Sequence, residues 1–189
     1  MKLKIGVMGS ASGEFPERLK DIAYELGRAI AASGCITITG ACPGQPLESA
    51  RGATQSGGLV IGISPALSEY EHINKYHSPM EYHDVLIFTG SGLMGREVVN
   101  IRSSDIVVIM GGHSGTLGEF AIAYDEGKLI GVLLGTGGIT SEIKDIVRKV
   151  KKKTGAKIIY GRDPRRLMQR LVRYFNEVHH KHPSVHYYE

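Results

Sequence analysis

The sequence predicts an α/β protein: a mostly parallel sheet of about seven strands held between two layers of helices. Three observations predict it. Short, continuously apolar runs alternate with amphipathic helical patterns along the whole chain. Those runs lack polar–apolar alternation, as strands covered on both faces do. Most of the 25 glycines sit at the ends of the runs, where strand-to-helix turns are tight.

Each element follows in order. The first run, 3–8, follows Lys2 and Lys4 and breaks at Ser10, so it reads as an opening strand and not a leader peptide. A helical pattern over 16–33 comes next. Cys35 opens the strand 35–39 and reads as a small buried hydrophobe. A helix over 46–56 and a strand over 59–63 follow. Residues 64–83 show no periodicity and hold Pro65, Pro79, three histidines and three tyrosines. So long a stretch without structure is expected to be a lid or substrate-selecting segment, or to be disordered. The chain then alternates again: strand 84–89, helix 92–104, strand 105–110, helix 115–127, strand 129–134, helix 140–153, strand 157–160 and helix 163–178. Such alternation is the Rossmann-like doubly wound three-layer sandwich.

A chain of 189 residues fits one nucleotide-binding domain over 1–178, with the His-rich residues 179–189 as a flexible tail. Two cysteines without zinc spacing exclude a disulfide framework and suggest a reducing compartment. No apolar run reaches membrane-spanning length, so a cytoplasmic protein without membrane contact is expected. The net charge of +4 is uneven: residues 144–174 carry twelve Lys/Arg against Asp145 and Asp163. These bases share two amphipathic helices with the apolar stripes Ile143, Ile146, Val147, Val150 and Leu167, Leu171, Val172, Phe175. They read as solvated outer faces. Aromatic residues are not interleaved for base stacking, which argues against a nucleic-acid partner.

Ligands of a doubly wound sheet gather at the carboxyl ends of its strands. The run Asp105-Ile-Val-Val-Ile-Met-Gly-Gly-His-Ser-Gly-Thr-Leu-Gly-Glu119 is the most informative of these ends. A buried strand passes through Gly111, Gly112, His113, Ser114, Gly115 and Thr116 into a helix with Glu119 in its first turn. Open backbone N–H groups and the positive end of the dipole attract phosphate there. Glu119 does not help to hold an anion, and Thr116-Leu-Gly-Glu119 also fits a capping box. Gly9, Ser10 and Ser12, after the first strand, are phosphate-binding candidates, the serines as donors or as turn stabilisers. Gly40 ends the second strand. His113 is an acid or base candidate in a loop. Gly90-Ser-Gly-Leu-Met-Gly95 fits a dinucleotide fingerprint, but Met110 and Gly111 stand where it requires an acid. Arg96, in the first turn of the helix after Gly95 with Asn100 and Ser103 on one stripe, opposes the dipole and calls for solvent or an anionic partner.

Together these residues resemble the Lonely Guy (LOG) superfamily, once misannotated as lysine decarboxylases. Gly9-Ser-Ala-Ser-Gly13, the Arg96 helix and Gly111-Gly-His-Ser-Gly-Thr-Leu-Gly-Glu119 are similar to its sequence, whose hallmark is Pro-Gly-Gly-x-Gly-Thr-x-x-Glu after an arginine helix. Gly115, Thr116 and Glu119 match that hallmark. The Gly135-Thr-Gly-Gly138 turn points to the prokaryotic branch near molybdenum-cofactor carrier proteins. The resemblance implies a small phosphorylated ligand, a nucleotide or molybdopterin-type molecule, and no required cofactor or metal. It implies phosphoribohydrolase chemistry on nucleoside 5′-monophosphates, with Arg96 and Glu119 catalytic; the alternative is a non-catalytic carrier or sensor. It also implies a homodimer or higher homo-oligomer, with the Arg96 and Glu119 helices near the interface. Two departures, His113 in the hallmark loop and Pro43 and Pro46 after the second strand, point to a changed or lost base pocket.

Overall fold

The computed structural model describes residues 1–11 and 15–181. Seven strands form one sheet: β1 (Lys4–Gly9), β2 (Ile36–Thr39), β3 (Val60–Ser64), β4 (Val85–Phe88), β5 (Ile106–Met110), β6 (Leu129–Leu133) and β7 (Lys157–Gly161). Their order is β4-β3-β2-β1-β5-β6-β7, and all six pairings are parallel. In register, Gly9 ends β1 beside Met110 at the end of β5.

The helices are α1 (Glu17–Ala32), α2 (Gln45–Gln55), α3 (Glu69–Asn74), α4 (Gly92–Ser103), α5 (Ser114–Asp125), α6 (Ile143–Val150) and α7 (Pro164–Glu177). The central strands send successive side chains to opposite faces, as the pleat requires. Ile5, Val7, Ile106, Val108 and Leu129 pack with Ala23, Leu26 and Ile30 of α1 and Leu167 and Leu171 of α7. Met8, Val107, Ile109, Ile130 and Val132 pack with Ile101 of α4, Phe120 of α5 and Ile143 of α6. Full burial of side chains this size contributes roughly 1.5–3 kcal/mol each. The two-sided cover explains why the runs are continuously apolar.

The sequence-based elements need four corrections. Residues 64–83 are not structureless: they contain α3, capped by Ser68, whose Oγ accepts the Glu71 N–H at 3.3 Å. Six residues are too few to show a period, and a tertiary bond holds the turn. Fully buried His72 lies with Nε2 3.1 Å from the Pro79 carbonyl and Nδ1 2.9 Å from Ser64 Oγ. A carbonyl only accepts, so Nε2 carries the proton and Nδ1 accepts from Ser64. Second, the helix expected over 140–153 splits into a 3-10 turn, Gly138–Ser141, and α6, which ends where Lys151 turns left-handed at φ 53°. Val150 is exposed, so it leaves the predicted apolar stripe. Third, α4 begins at Gly92 as expected and α5 one residue early at Ser114, so Arg96 and Glu119 lie in second turns and not in first turns. Fourth, the start of the tail is packed: His179–Lys181 form a 3-10 turn, with His179 buried against Tyr174 and Phe175. No helix among the described residues is long and apolar enough to cross a membrane.

Candidate functional site

The strand order reverses direction between β1 and β5, and the loops leaving their carboxyl ends diverge. That crevice is where doubly wound sheets bind ligands. Here it is a cavity of about 250 Å³. Its walls come from Gly9, Ser10 and Ala11 after β1, Gly40 and Cys42 after β2, Arg96 and Glu97 of α4, and His113 through Thr116 with Glu119 of α5.

Arg96 enters the cavity because Gly40 has no side chain. A β-carbon on Gly40 would lie 2.1 Å from Arg96 Nη1. The guanidinium is 7% exposed, and Nη1 donates to Glu119 Oε1 across a long 3.4 Å. Arg96 Nε is buried without a hydrogen-bond partner among the described residues. Glu119 does not close a capping box on Thr116. His113 is the N-cap residue of α5, so Thr116 is its third residue and the carboxylate faces Arg96 instead. Burial pushes the Glu119 carboxyl up to about 7; Arg96 opposes that rise and Glu97 adds to it. Arg96 and Glu119 are therefore a buried pair, not a surface cation and a helix cap.

The α5 N-terminus forms the facing wall. Its first amide with an acceptor inside the helix is Leu117 N–H, bonded to the His113 carbonyl at 2.9 Å. The amides of Ser114, Gly115 and Thr116 precede that bond, as opening amides of a helix do. Ser114 and Gly115 are exposed, Thr116 is buried, and all three line the crevice. His113 stands exposed at the rim.

Gly111 and Gly112 shape this wall without lining the cavity. Both are left-handed, at φ 54° and 82°. A β-carbon on Gly111 would lie 2.5 Å from Gln45 Oε1, and one on Gly112 would lie 2.2 Å from Thr116 Oγ1. The Gly111 N–H donates to Thr136 Oγ1 at 2.9 Å, and Thr136 donates to the Leu133 carbonyl at 2.6 Å. Ile139 N–H bonds the Gly112 carbonyl at 3.1 Å. On the other side, the Ser10 N–H donates to Gln45 Oε1 at 3.0 Å. Of the residues proposed from sequence, Gly9, Ser10, Gly40, Arg96, His113, Ser114, Gly115, Thr116 and Glu119 therefore meet in one cavity. Ser12 lies outside the described residues.

Four functional candidates escaped sequence reading. Gln45, 1% exposed, accepts from the Ser10 N–H and fills the space a β-carbon on Gly111 would need, and Thr136 accepts from the Gly111 N–H. Glu97 is 6% exposed with Oε2 unpartnered among the described residues. Cys42 lines the cavity, and burial pushes its thiol up to about 11, so it stays protonated at neutral pH. A polar residue beside a strand-end glycine was the available signal for Gln45; Glu97 gave none, because an acid in an amphipathic helix reads as solvent-facing. The Gly90–Gly95 stretch follows the edge strand β4 into α4, and its glycines do not line the cavity. Among the described residues no group of three or more His, Cys, Asp or Glu could hold a metal ion.

Comparisons with known proteins give the family and the fold. The model of the SLOG cluster4 family matches residues 2–168. An uncharacterized protein of Archaeoglobus fulgidus is 38% identical over 134 residues, 70% of this chain and 82% of that relative. The molybdenum cofactor binding protein of Rippkaea orientalis is similar in structure, with a TM-score of 0.76 and 28% identity over 93% of this chain and 98% of that one. The molybdenum cofactor carrier protein of Chlamydomonas reinhardtii gives a TM-score of 0.72 and 28% identity over 91% and 99%.

Proposed function

We propose that this chain, which belongs to the SLOG cluster4 family, binds and carries a small phosphorylated ligand of nucleotide or molybdopterin type at the β1–β5 crevice. One observation carries the reading: the opening amides of α5 and a buried guanidinium line the same cavity. Amides at a helix start hold a phosphate through hydrogen bonds and the dipole. Arg96 adds a full charge that burial leaves poorly screened. The two molybdenum-cofactor proteins support the ligand class and the carrier role. The fit rests on this chain's own donors: the Gly115 and Thr116 amides would take the phosphate, and the unpartnered Arg96 Nε would take an acceptor of the ligand. When bound, a molybdopterin-type group supplies the metal chemistry; the protein shields and orients it.

Hydrolysis of a nucleoside 5′-monophosphate is the second reading, favoured by Glu119. A carboxyl held near 7 is suited to general acid–base work at neutral pH. In that reaction the C1′–N bond breaks, water adds hydroxide to C1′, and its remaining proton leaves with the base. Glu119 would orient the water or stabilise positive charge developing on the ribose. Titration and turnover separate the two. Saturable AMP binding without adenine release supports the carrier. Adenine release that disappears in Glu119→Gln supports the hydrolase, and no binding of any phosphorylated ligand overturns both.

We infer a homodimer through the β4 edge. Val85, Ile87 and Phe88 of β4 are exposed, although strands of a parallel sheet are normally covered on both faces. Leu93 and Met94 of α4 extend the apolar surface to the rim of the cavity. Sedimentation velocity should show a dimer that Met94→Glu dissociates, and a monomeric wild type would overturn the inference.

A further inference from the structure

Glu97 is the group in the cavity that the preceding reading leaves without a task. It sits beside Arg96 on α4, 6% exposed, and no Lys, Arg or His lies within salt-bridge distance among the described residues. Its Oε2 is buried with no hydrogen-bond partner. The carboxylate packs against the first turns of α5 because glycines leave room there. A β-carbon at Gly115 would lie 3.4 Å from Oε1, and one at Gly118 would lie 3.1 Å from Oε2. Burial raises the proton affinity of Glu97, while the Arg96 charge works against that rise. A buried acceptor without a donor weakens a fold. The cavity also holds the complementary vacancy, since Arg96 Nε is a buried donor without an acceptor.

We propose that Glu97 is a specificity residue that reads a lactam–amine edge, the 2-amino-4-oxopyrimidine edge shared by guanine and pterin rings. Such an edge carries a ring N–H and an exocyclic amine side by side, two neutral donors matched to the two oxygens of one carboxylate. The neighbouring carbonyl accepts from Arg96 Nε. The ring of adenine offers one amine donor beside an acceptor nitrogen, which faces the carboxylate lone pair to lone pair. Hypoxanthine keeps the carbonyl and ring N–H but lacks the amine. A site with buried polar groups rejects a partner that leaves one of them unanswered. The inference rests on the crevice being a ligand site and adds the chemistry of the ring.

The test combines melting of the ligand-free protein with calorimetric titration of GMP, IMP, AMP and 6-methylpterin. Glu97→Leu should raise the melting temperature, because it removes a buried carboxylate that the fold does not use. Wild type should bind GMP about tenfold tighter than IMP or AMP, a difference of about 1.4 kcal/mol. Glu97→Gln should lose that preference. Equal affinity for GMP and IMP would overturn the proposal, as would a lower melting temperature in both variants. 6-Methylpterin carries the edge without phosphate. If it binds wild type but not Glu97→Gln while the monophosphates fail, the phosphate reading falls and the Glu97 reading stands. If neither 6-methylpterin nor GMP binds, the Glu97 reading falls.

Discussion

Gly40 and Arg96 share one volume: the space that a side chain at 40 would fill is occupied by the Arg96 guanidinium, whose Nη1 would lie 2.1 Å from the added β-carbon. Gly40→Ala should therefore displace the guanidinium from Glu119 and from the cavity. The expected result is at least about a tenfold loss of affinity for a phosphorylated ligand, roughly 1.4 kcal/mol. Circular dichroism should remain native, because the clash falls on the far end of a flexible side chain. Calorimetric titration of the variant checks the affinity.

Glu119 makes stability depend on pH, with a definite sign. Its carboxyl ionises near 4.5 in the unfolded chain and at about 7 when buried. The folded state therefore holds more protons between those values, and stability falls as pH rises through that window. Glu119→Gln should remove this component and gain on wild type at higher pH. Urea unfolding at about pH 5 and about pH 8 measures both slopes, and a wild type that gains on Glu119→Gln as pH rises would contradict the burial of Glu119.

Thr136 joins two backbone groups: it accepts from Gly111 N–H and donates to the Leu133 carbonyl. Thr136→Val keeps the shape and leaves a buried amide without its acceptor. The expected loss is about 1–3 kcal/mol. Denaturant unfolding should show a lower midpoint at unchanged slope, since the exposed surface is the same.

His72 fastens the segment around α3 to the sheet through Ser64 and Pro79. In His72→Phe the ring volume remains and both bonds are lost. Hydrogen exchange should accelerate across 66–83, while β1 and β5 retain full protection, because local opening follows local bonding. Uniform acceleration throughout the sheet would show that His72 supports the core instead.

The sheet was readable because its signal is local. Ile106 through Met110 is apolar at every position, and every one of those side chains is buried. Strand boundaries fell within a residue or two for the same reason, since glycine or a polar residue closes each run. The α3 segment was not readable: its six residues are held by a histidine bonded to residues before and after it, which no short window contains. Within the crevice, Gly115, Thr116 and Glu119 stood out through their spacing. Gln45, Glu97 and Thr136 did not, because a buried polar side chain has the same letter as an exposed one. The capping-box reading of Glu119 failed because the N-cap of α5 is His113 and not Thr116, which leaves the carboxylate facing Arg96.

Thr136 ties the end of β5 to β6, and Gln45 of α2 holds the end of β1 beside them. Those three strands enter the chain far apart, so closing the crevice requires several long loops to close first, each at an entropic penalty. The loop after β5 therefore gains its Thr136 bonds only once β6 has joined the sheet. A chain growing from its N-terminus has its arginine and glutamate made well before Thr136 arrives to support the loop between them. A ligand held at the proposed site would therefore stabilise the joined ends of β1, β5 and β6 by mass action.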